Sequence, residues 1–283
     1  MVSIIILHYG EPLITINCIK SVYLHTKSVP FEVICVDNDL NNRIKPHLFS
    51  YNFENLHVIE APYNLGFSKG VNYGLKYATG DVILLLNNDA ELLNDAIGIC
   101  YNFLKKRDDV FIAGCKIINQ NGEIHRGCCS LPSIRKTLFE LFRLHKVFPE
   151  LASTYLLGPF FTYDRIAYPE FIPGLFFMFK RSFLEIFPDG KLPEPTFMYF
   201  EDYYWCLYAK KFKKKIVFIP DGIVKHTGKL TPEKVKMAEK GEKKFFKDCY
   251  PFYWRQVYFI IYQLLRWSIK VTSGIKNLVK QTT

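Results

Sequence analysis

Residues 81–91 read DVILLLNNDAE: one acidic residue, five aliphatic residues at 82–86, then Asn87, Asn88 and Asp89 together. A run this short and this apolar suits a strand buried on both faces, with the polar trio at its carboxyl end. In open α/β sheets the crevice outside that end is where ligands bind. The oxygens of an Asn-x-Asp placed there suit Mg²⁺ or Mn²⁺ already shared with a phosphate. The same residues also suit a strand, a polar turn and a helix cap, so the surrounding chain has to decide.

The amino-terminal half supplies the context. VSIIIL at 2–7 predicts a buried strand ending at His8-Tyr9-Gly10, and Leu13, Ile16, Ile19, Val22 and Tyr23 predict a helix over 12–25. EVICV at 32–36 predicts a second strand, ending at Asp37-Asn38-Asp39, and a third short strand falls at 56–60. A glycine-studded turn at 64–80, NLGFSKGVNYGLKYATG, runs into a helix; the strand described above is fourth, and an amphipathic helix spans 92–107. This alternation predicts a doubly wound parallel sheet. Further on, 110–118 predicts a strand, 134–148 a basic amphipathic helix, 174–187 a strand and short helix, 197–213 a run into a helix, and 216–220 a last strand before Lys225-His226-Thr227-Gly228.

At 283 residues, about half of them apolar, the chain can bury a large core. Its 37 basic and 27 acidic residues leave a net charge of +10, which suits an anionic partner such as a phosphorylated substrate, a nucleic acid or a membrane surface. No nucleic-acid recognition motif accompanies that charge, so no nucleic-acid partner is expected. The eight cysteines form no C-x-x-C pair, which argues for buried reduced thiols rather than a zinc ribbon or redox site. The opening residues lack the basic start and cleavage site of a secretory signal, and no apolar stretch is long enough to cross a bilayer. A cytoplasmic protein is expected.

In a parallel sheet His8, Tyr9, Asp37 and Asp89 share one edge. Asp37 suits a base N–H or a ribose hydroxyl, or else a loop cap. The NLGFSKG turn offers close backbone approach and Lys69 as a cation for phosphate. Glu201 and Asp202 stand inside the aromatic run FMYF-ED-YYWC, where an apolar surround would tune a general base; a helix amino terminus is the plainer reading. His226, just past the last strand, can return to the Asp89 crevice and complete a divalent-cation site.

Together the pieces resemble family 2 glycosyltransferases of the rhamnosyltransferase-like branch, with the GT-A fold, over roughly 1–230. VSIIILHYG, Cys18-Ile19-Lys20-Ser21, EVICVDN, NLGFSKGVNYG, LLLNNDA, GLFFMFKRSFLE, FMYFED and KHTG follow that family's motifs in order. The resemblance implies a Rossmann-like mixed sheet with helices on both faces. It implies a nucleotide-sugar half at 1–118, an acceptor half at 119–230 and a helical extension at 231–283. Asp37 would recognise the nucleoside, with His8 and Tyr9 lining the base pocket. Asn64, Gly66 and Lys69 would lie along the nucleotide. Asn87 and Asp89 would hold ribose and the metal–diphosphate, with Mg²⁺ or Mn²⁺ beside His226. Asp202 would be the base and Glu201 its support. The implied activity is inverting, metal-dependent hexosyl or rhamnosyl transfer in bacterial surface polysaccharide synthesis. The donor would be a UDP- or dTDP-linked sugar, and the acceptor a saccharide or lipid-linked saccharide. His8 and Gly10 replace the family's asparagines, and 190–194 and 204–206 depart from its acceptor-side pattern, which motivates a rival reading as a catalytically degenerate sugar-nucleotide-binding protein.

In 250–271 aromatic and aliphatic residues alternate with Arg255, Arg266 and Lys270, and Lys276 and Lys280 follow. This pattern predicts a helix lying in a membrane interface, or one covering the globular domain. The first would place the protein at the inner face of the cytoplasmic membrane.

Overall fold

A computed structural model describes residues 1–228 and 231–282, with side chains as far as Ile269. The first half alternates as the apolar runs predict: β1 (Val2–His8), α1 (Pro12–His25), β2 (Phe31–Asp37), β3 (Leu56–Glu60), α2 (Gly66–Leu75) and β4 (Val82–Asn87). Then come β5 (Ala90–Leu92), α3 (Ala96–Lys106) and β6 (Val110–Ile118). The second half contains α4 (Ile134–Leu141), α5 (Leu144–Val147), α6 (Pro149–Tyr155), β7 (Phe176–Lys180), α7 (Glu201–Lys211) and β8 (Lys215–His226), and ends with α8 (Pro232–Cys249) and α9 (Phe252–Thr282).

The described strands form one sheet in the order β3-β2-β1-β4-β7-β6-β8-β5. The fold is α/β with a mixed sheet: β1 to β4 run parallel, whereas β7 is antiparallel to both β4 and β6, and β5 is antiparallel to β8. This corrects the wholly parallel sheet that strand–helix alternation predicts. Alternation holds only through β4, and β7 returns without a crossover helix of the first kind.

The central strands bury both faces, so their side chains divide by parity. Ile5, Ile34, Ile83 and Leu85 enter a core with Val71 and Leu75 of α2, Trp205 of α7 and Phe245 of α8. Ile4, Ile6, Val33, Leu84 and Leu86 enter a second core with Ile16 and Ile19 of α1 and Ile97 of α3. Each fully buried Ile or Leu contributes about 1.5–3 kcal/mol of transfer free energy. The eight cysteines are free thiols, six of them buried.

Other boundaries shift for local reasons. The helix expected over 92–107 starts at Ala96, because Asp95 caps it by accepting from the Gly98 N–H at 3.0 Å, and 90–92 becomes β5 instead. The helix predicted over 134–148 breaks at Arg143, whose φ of 54° is left-handed. The last strand runs past 220 to His226. A register shift between Cys115 and Lys116 loops out part of β8 and turns its end toward β5.

Candidate active site

Three parallel strands deliver their carboxyl ends to one edge: His8 lies opposite Asp37, and Leu7 opposite Asn87. Asp37 is fully buried. Its Oδ2 accepts from the Ile44 N–H at 3.1 Å, while Oδ1 has no hydrogen-bond partner and lies 3.8 Å from Arg43 Nη1. Burial raises its carboxyl, against the lowering pull of His8 and Arg43. That oxygen is a buried acceptor with unused hydrogen-bonding capacity at a strand end.

The His8 ring is held elsewhere. It is fully buried, with Nδ1 2.8 Å from Thr15 Oγ1 and Nε2 2.6 Å from the Asn42 carbonyl. Both ring nitrogens are taken, one by Thr15 of α1 and one by the Asn42 carbonyl of the loop after β2, so the ring braces the strand end. The Tyr9 side chain is exposed. The following asparagines act together. Asn38 accepts from the Leu65 N–H at 2.8 Å and donates to Asn64 Oδ1 at 3.2 Å, and Asn64 Oδ1 accepts from the Gly66 N–H at 3.0 Å. Asn64 therefore shapes the turn into α2. Gly66 has φ +72°, and a Cβ there would lie 2.3 Å from the Phe197 carbonyl, so it admits the 192–200 loop. Lys69 is exposed on α2.

Asp89 and His226 meet because β5 and β8 pair with Ala90 opposite His226. His226 Nε2 is 3.1 Å from Asp89 Oδ1, an ion-pair distance, yet that buried oxygen has no hydrogen-bond partner. Two donors at this separation match neighbouring positions around an octahedral ion with bonds of ~2.1 Å. A Cβ on Gly228 would lie 2.4 Å from Asp89 Oδ2, so glycine lets the chain close over the pair. Among the described residues no three His, Cys, Asp or Glu side chains gather into a metal-ligating cluster. The pair nonetheless fits Mg²⁺ or Mn²⁺, which take one or two protein ligands and complete their shell from phosphate oxygens and water. Asn87 ends β4, and its N–H donates to the Leu175 carbonyl at 3.1 Å.

That last bond links the two halves of the site. β7 runs antiparallel to β4, with Phe176 opposite Leu86, so Gly174 and Leu175 lie at the carboxyl end of β4. The Gly174 N–H donates to Asp202 Oδ2 at 2.9 Å, and the Tyr203 N–H donates to Oδ1 at 3.0 Å. Asp202 is thus tied to Gly174, two residues before β7 and next to the Leu175 that bonds Asn87, and it remains partly accessible. Burial is the main cause that pushes its carboxyl up to about 6, against the lowering effect of these N–H donors. Glu201 is 5 % exposed and accepts from Thr196 Oγ1 at 3.0 Å; burial first, then the Asp202 charge, push it up to about 8. Both carboxyls are thus lifted toward neutrality, and the two titrate as a coupled pair.

The sequence did not reveal what aims this pair. Tyr199 and Phe200, immediately before it, both have φ 71°, a conformation costly for aromatic side chains. Thr196 Oγ1 donates to the Tyr199 carbonyl at 2.8 Å. Gly241 of α8 presses on the same turn, where a Cβ would sit 2.8 Å from the Tyr199 carbonyl and 3.1 Å from Phe200 Cβ. A lone glycine inside a helix, costing about 0.5–1 kcal/mol against alanine, was the only available signal. The Tyr199 hydroxyl is raised by burial first and then by the charges of Glu201 and Asp89, so it feels both acidic centres.

Solved structures share this architecture. It is similar to GalNAc-T7 with UDP, GalNAc and Mn²⁺ (TM-score 0.57, 15 % identity, 81 % of this chain and 43 % of that one). It is also similar to residues 1–349 of S. aureus TarS in complex with UDP-GlcNAc (TM-score 0.56, 14 % identity, 87 % and 66 %). These likenesses show the GT-A fold. A curated relative, the low-salt glycan biosynthesis hexosyltransferase Agl10 of Haloferax volcanii, is 25 % identical over 214 residues, 74 % of this chain and 61 % of that protein. The chain therefore spans about three-fifths of that relative's length. The model of the family described as "Glycosyl transferase family 2" matches residues 3–158, more than half of the chain, and includes β1, Asp37, the NLGFSKG turn and Asp89. With these strand-end residues gathered on one sheet edge and more than half the chain matched, the protein belongs to glycosyl transferase family 2.

Proposed function

We propose that the chain is an inverting, metal-dependent glycosyltransferase. It moves a hexose or rhamnose from a UDP- or dTDP-linked donor to a hydroxyl of a saccharide or lipid-linked saccharide, in bacterial surface polysaccharide synthesis. The observation that carries this reading is the Gly174–Asp202 hydrogen bond, which puts a carboxylate of raised pKa beside the strand end that bears Asn87 and Asp89. Residues 1–118 take the nucleotide sugar and 119–230 the acceptor, with 231–283 as an extension.

The chemistry makes two demands. As the acceptor oxygen bonds to the anomeric carbon, the bond to the diphosphate breaks, and the acceptor proton must leave. Asp202 takes that proton: its carboxylate is fixed by two N–H donors and lifted toward the pH of use. Glu201, protonated at neutral pH, keeps a second negative charge away from it. One base on the face opposite the leaving group gives displacement with inversion, without a covalent intermediate. The second demand is neutralising the departing nucleoside diphosphate. Asp37 anchors the nucleoside through its open Oδ1, with Tyr9, Asn64 and Gly66 beside it, and Asn87 takes the ribose; Lys69 lies toward the phosphates. Asp89 and His226 would hold Mg²⁺ or Mn²⁺, whose charge stabilises the leaving diphosphate.

Helix α9 motivates peripheral attachment at the inner face of the cytoplasmic membrane. Trp254, Tyr258 and Leu265 pack on the domain, as a core-covering helix would. Tyr253, Val257, Ile260, Leu264 and Trp267, spaced four and three apart, leave an uncharged stripe exposed on the other side. Arg266 flanks it, and the side chains of Lys270, Lys276 and Lys280 lie outside the described residues. An anionic bilayer suits such a stripe on a chain of charge +10. No described helix is long and apolar enough to cross a membrane.

The test is a donor screen with Mn²⁺ or Mg²⁺ that follows release of the nucleoside diphosphate. Wild type releases it from one donor class, and Asp202→Asn lowers turnover by about 10²–10⁴-fold at unchanged donor affinity. Undiminished turnover in Asp202→Asn removes the catalytic assignment. Donor binding without any turnover by wild type points instead to a degenerate binding protein.

A further inference from the structure

A cavity of about 520 Å³ opens between the start of α4, the end of α7 and the start of α9. Arg135, Lys136 and Lys210 face it together with Glu170, and the rings of Tyr155 and Trp254 wall it. Its charges do not balance. Glu170 is the only carboxylate among those residues, and its oxygens are filled: Oε1 by Lys210 at 2.8 Å, Oε2 by Lys136 at 2.9 Å and by the Leu131 N–H at 3.0 Å. Arg135 is exposed and makes no ion pair within the described residues. The Lys136 side chain is only 9 % exposed. That ammonium has a half share of Glu170 and the face of the Tyr155 ring, 4.8 Å from its centroid, which together leave part of its charge for an anion.

The position of the cavity is as informative as its charge. Glu170 is followed by Phe171, whose ring stacks on Tyr203 at 4.0 Å between centroids, and the same segment ends at Gly174, which holds Asp202. Glu170 and Gly174 are four residues apart, a span of chain of at most ~14 Å, so the cavity and the base lie within reach of one phosphorylated oligosaccharide. We propose that this cavity binds the phosphate or diphosphate group of an anionic acceptor and so orients the attacking hydroxyl toward Asp202. Two ammoniums and a guanidinium supply charge-assisted donors to the phosphate oxygens, and Trp254 and Tyr155 offer an apolar wall to whatever the phosphate carries. The orienting role rests on the transferase reading above. The anion site itself does not.

The test uses the full chain, free of nucleotide and divalent cation, titrated with inorganic pyrophosphate while tryptophan emission is followed; Trp254 is the reporter in the cavity wall. Wild type gives a saturable change. The double variant Arg135→Gln/Lys210→Gln, altered at two exposed positions so that folding is preserved, binds at least about tenfold more weakly, the loss expected from one charge-assisted hydrogen bond. UDP affinity in the presence of Mn²⁺ stays the same in both proteins. Equal titration of the two proteins, or no saturable response in wild type, overturns the proposal and leaves the transferase reading intact. Loss of UDP binding in wild type would count against the transferase reading alone. Adding phosphatidylcholine vesicles with or without phosphatidic acid identifies the source. Competition by the acidic vesicles alone marks a lipid phosphate, and its absence with pyrophosphate still bound marks a water-soluble acceptor; either result requires the cavity.

Discussion

Glu201 and Asp202 show how neighbouring carboxyls acquire different environments. Asp202 has two backbone N–H donors and partial access; Glu201 has a threonine hydroxyl and near-complete burial. If Asp202 is the base, kcat/KM falls as the pH drops through about 6, and the acidic limb of a pH–rate profile reports that value. Glu201 adds a stability effect of defined sign. Its folded-state pKa of about 8 lies above the ordinary carboxylate value, so between those values the folded chain binds more protons than the unfolded one. Stability therefore declines as pH rises across that window. Glu201→Gln removes the decline: its Tm matches wild type near roughly pH 4 and exceeds it increasingly toward about pH 8, by about 2–4 °C per kcal/mol recovered. A parallel pair of melting curves would refute the buried-acid assignment. At the other centre, Asp89→Ala or His226→Ala should each weaken Mn²⁺ binding in the presence of UDP by about 10–100-fold, as read by calorimetry. The carboxylates stood out in the sequence because acid inside an aromatic run requires an explanation. The partners of the His8 ring did not, since a strand-end position says nothing about whether Thr15 and the Asn42 carbonyl will claim it.

At the scale of elements, the turn at Tyr199 and Phe200 is the part most dependent on distant sequence. Nothing in FMYF announces two consecutive left-handed residues; they persist because Thr196, the Phe197–Gly66 contact and Gly241 of α8 enforce them together. Gly241→Val would push a branched side chain against the Tyr199 carbonyl, costing about 1–3 kcal/mol of stability and displacing the residues that lead into Asp202. Turnover should fall more than the melting temperature suggests, with UDP affinity unchanged; a variant that loses stability alone would reduce α8 to a packing element. The aliphatic runs of β1, β2, β4 and β6 were read within a residue or so, because burial on both faces leaves few other sequences. β5 escaped notice: three residues have no period of their own, and the strand exists only because β8 bends to meet it.

For the whole molecule, α9 is where both readings of the tail meet, one face packed and the other open. Replacing Ile260 and Leu264 by Glu places two charges on the open stripe without touching the packed one. Co-sedimentation with anionic vesicles should drop by about tenfold or more while the melting temperature holds, and unchanged sedimentation would end the membrane proposal. The GT-A architecture was legible from motif order, but the sheet's threading was not. β7 belongs to the later half of the sequence yet lies between β4 and β6 of the earlier half. During synthesis the ribosome therefore releases β4 with one bare edge, and that edge stays unpaired until Phe176 emerges; the β8 end that pairs with β5 arrives only with His226. An exposed aliphatic edge of this kind is an invitation to intermolecular pairing, so the growing polypeptide carries its greatest aggregation hazard while the residues between Asn87 and Phe176 are being translated.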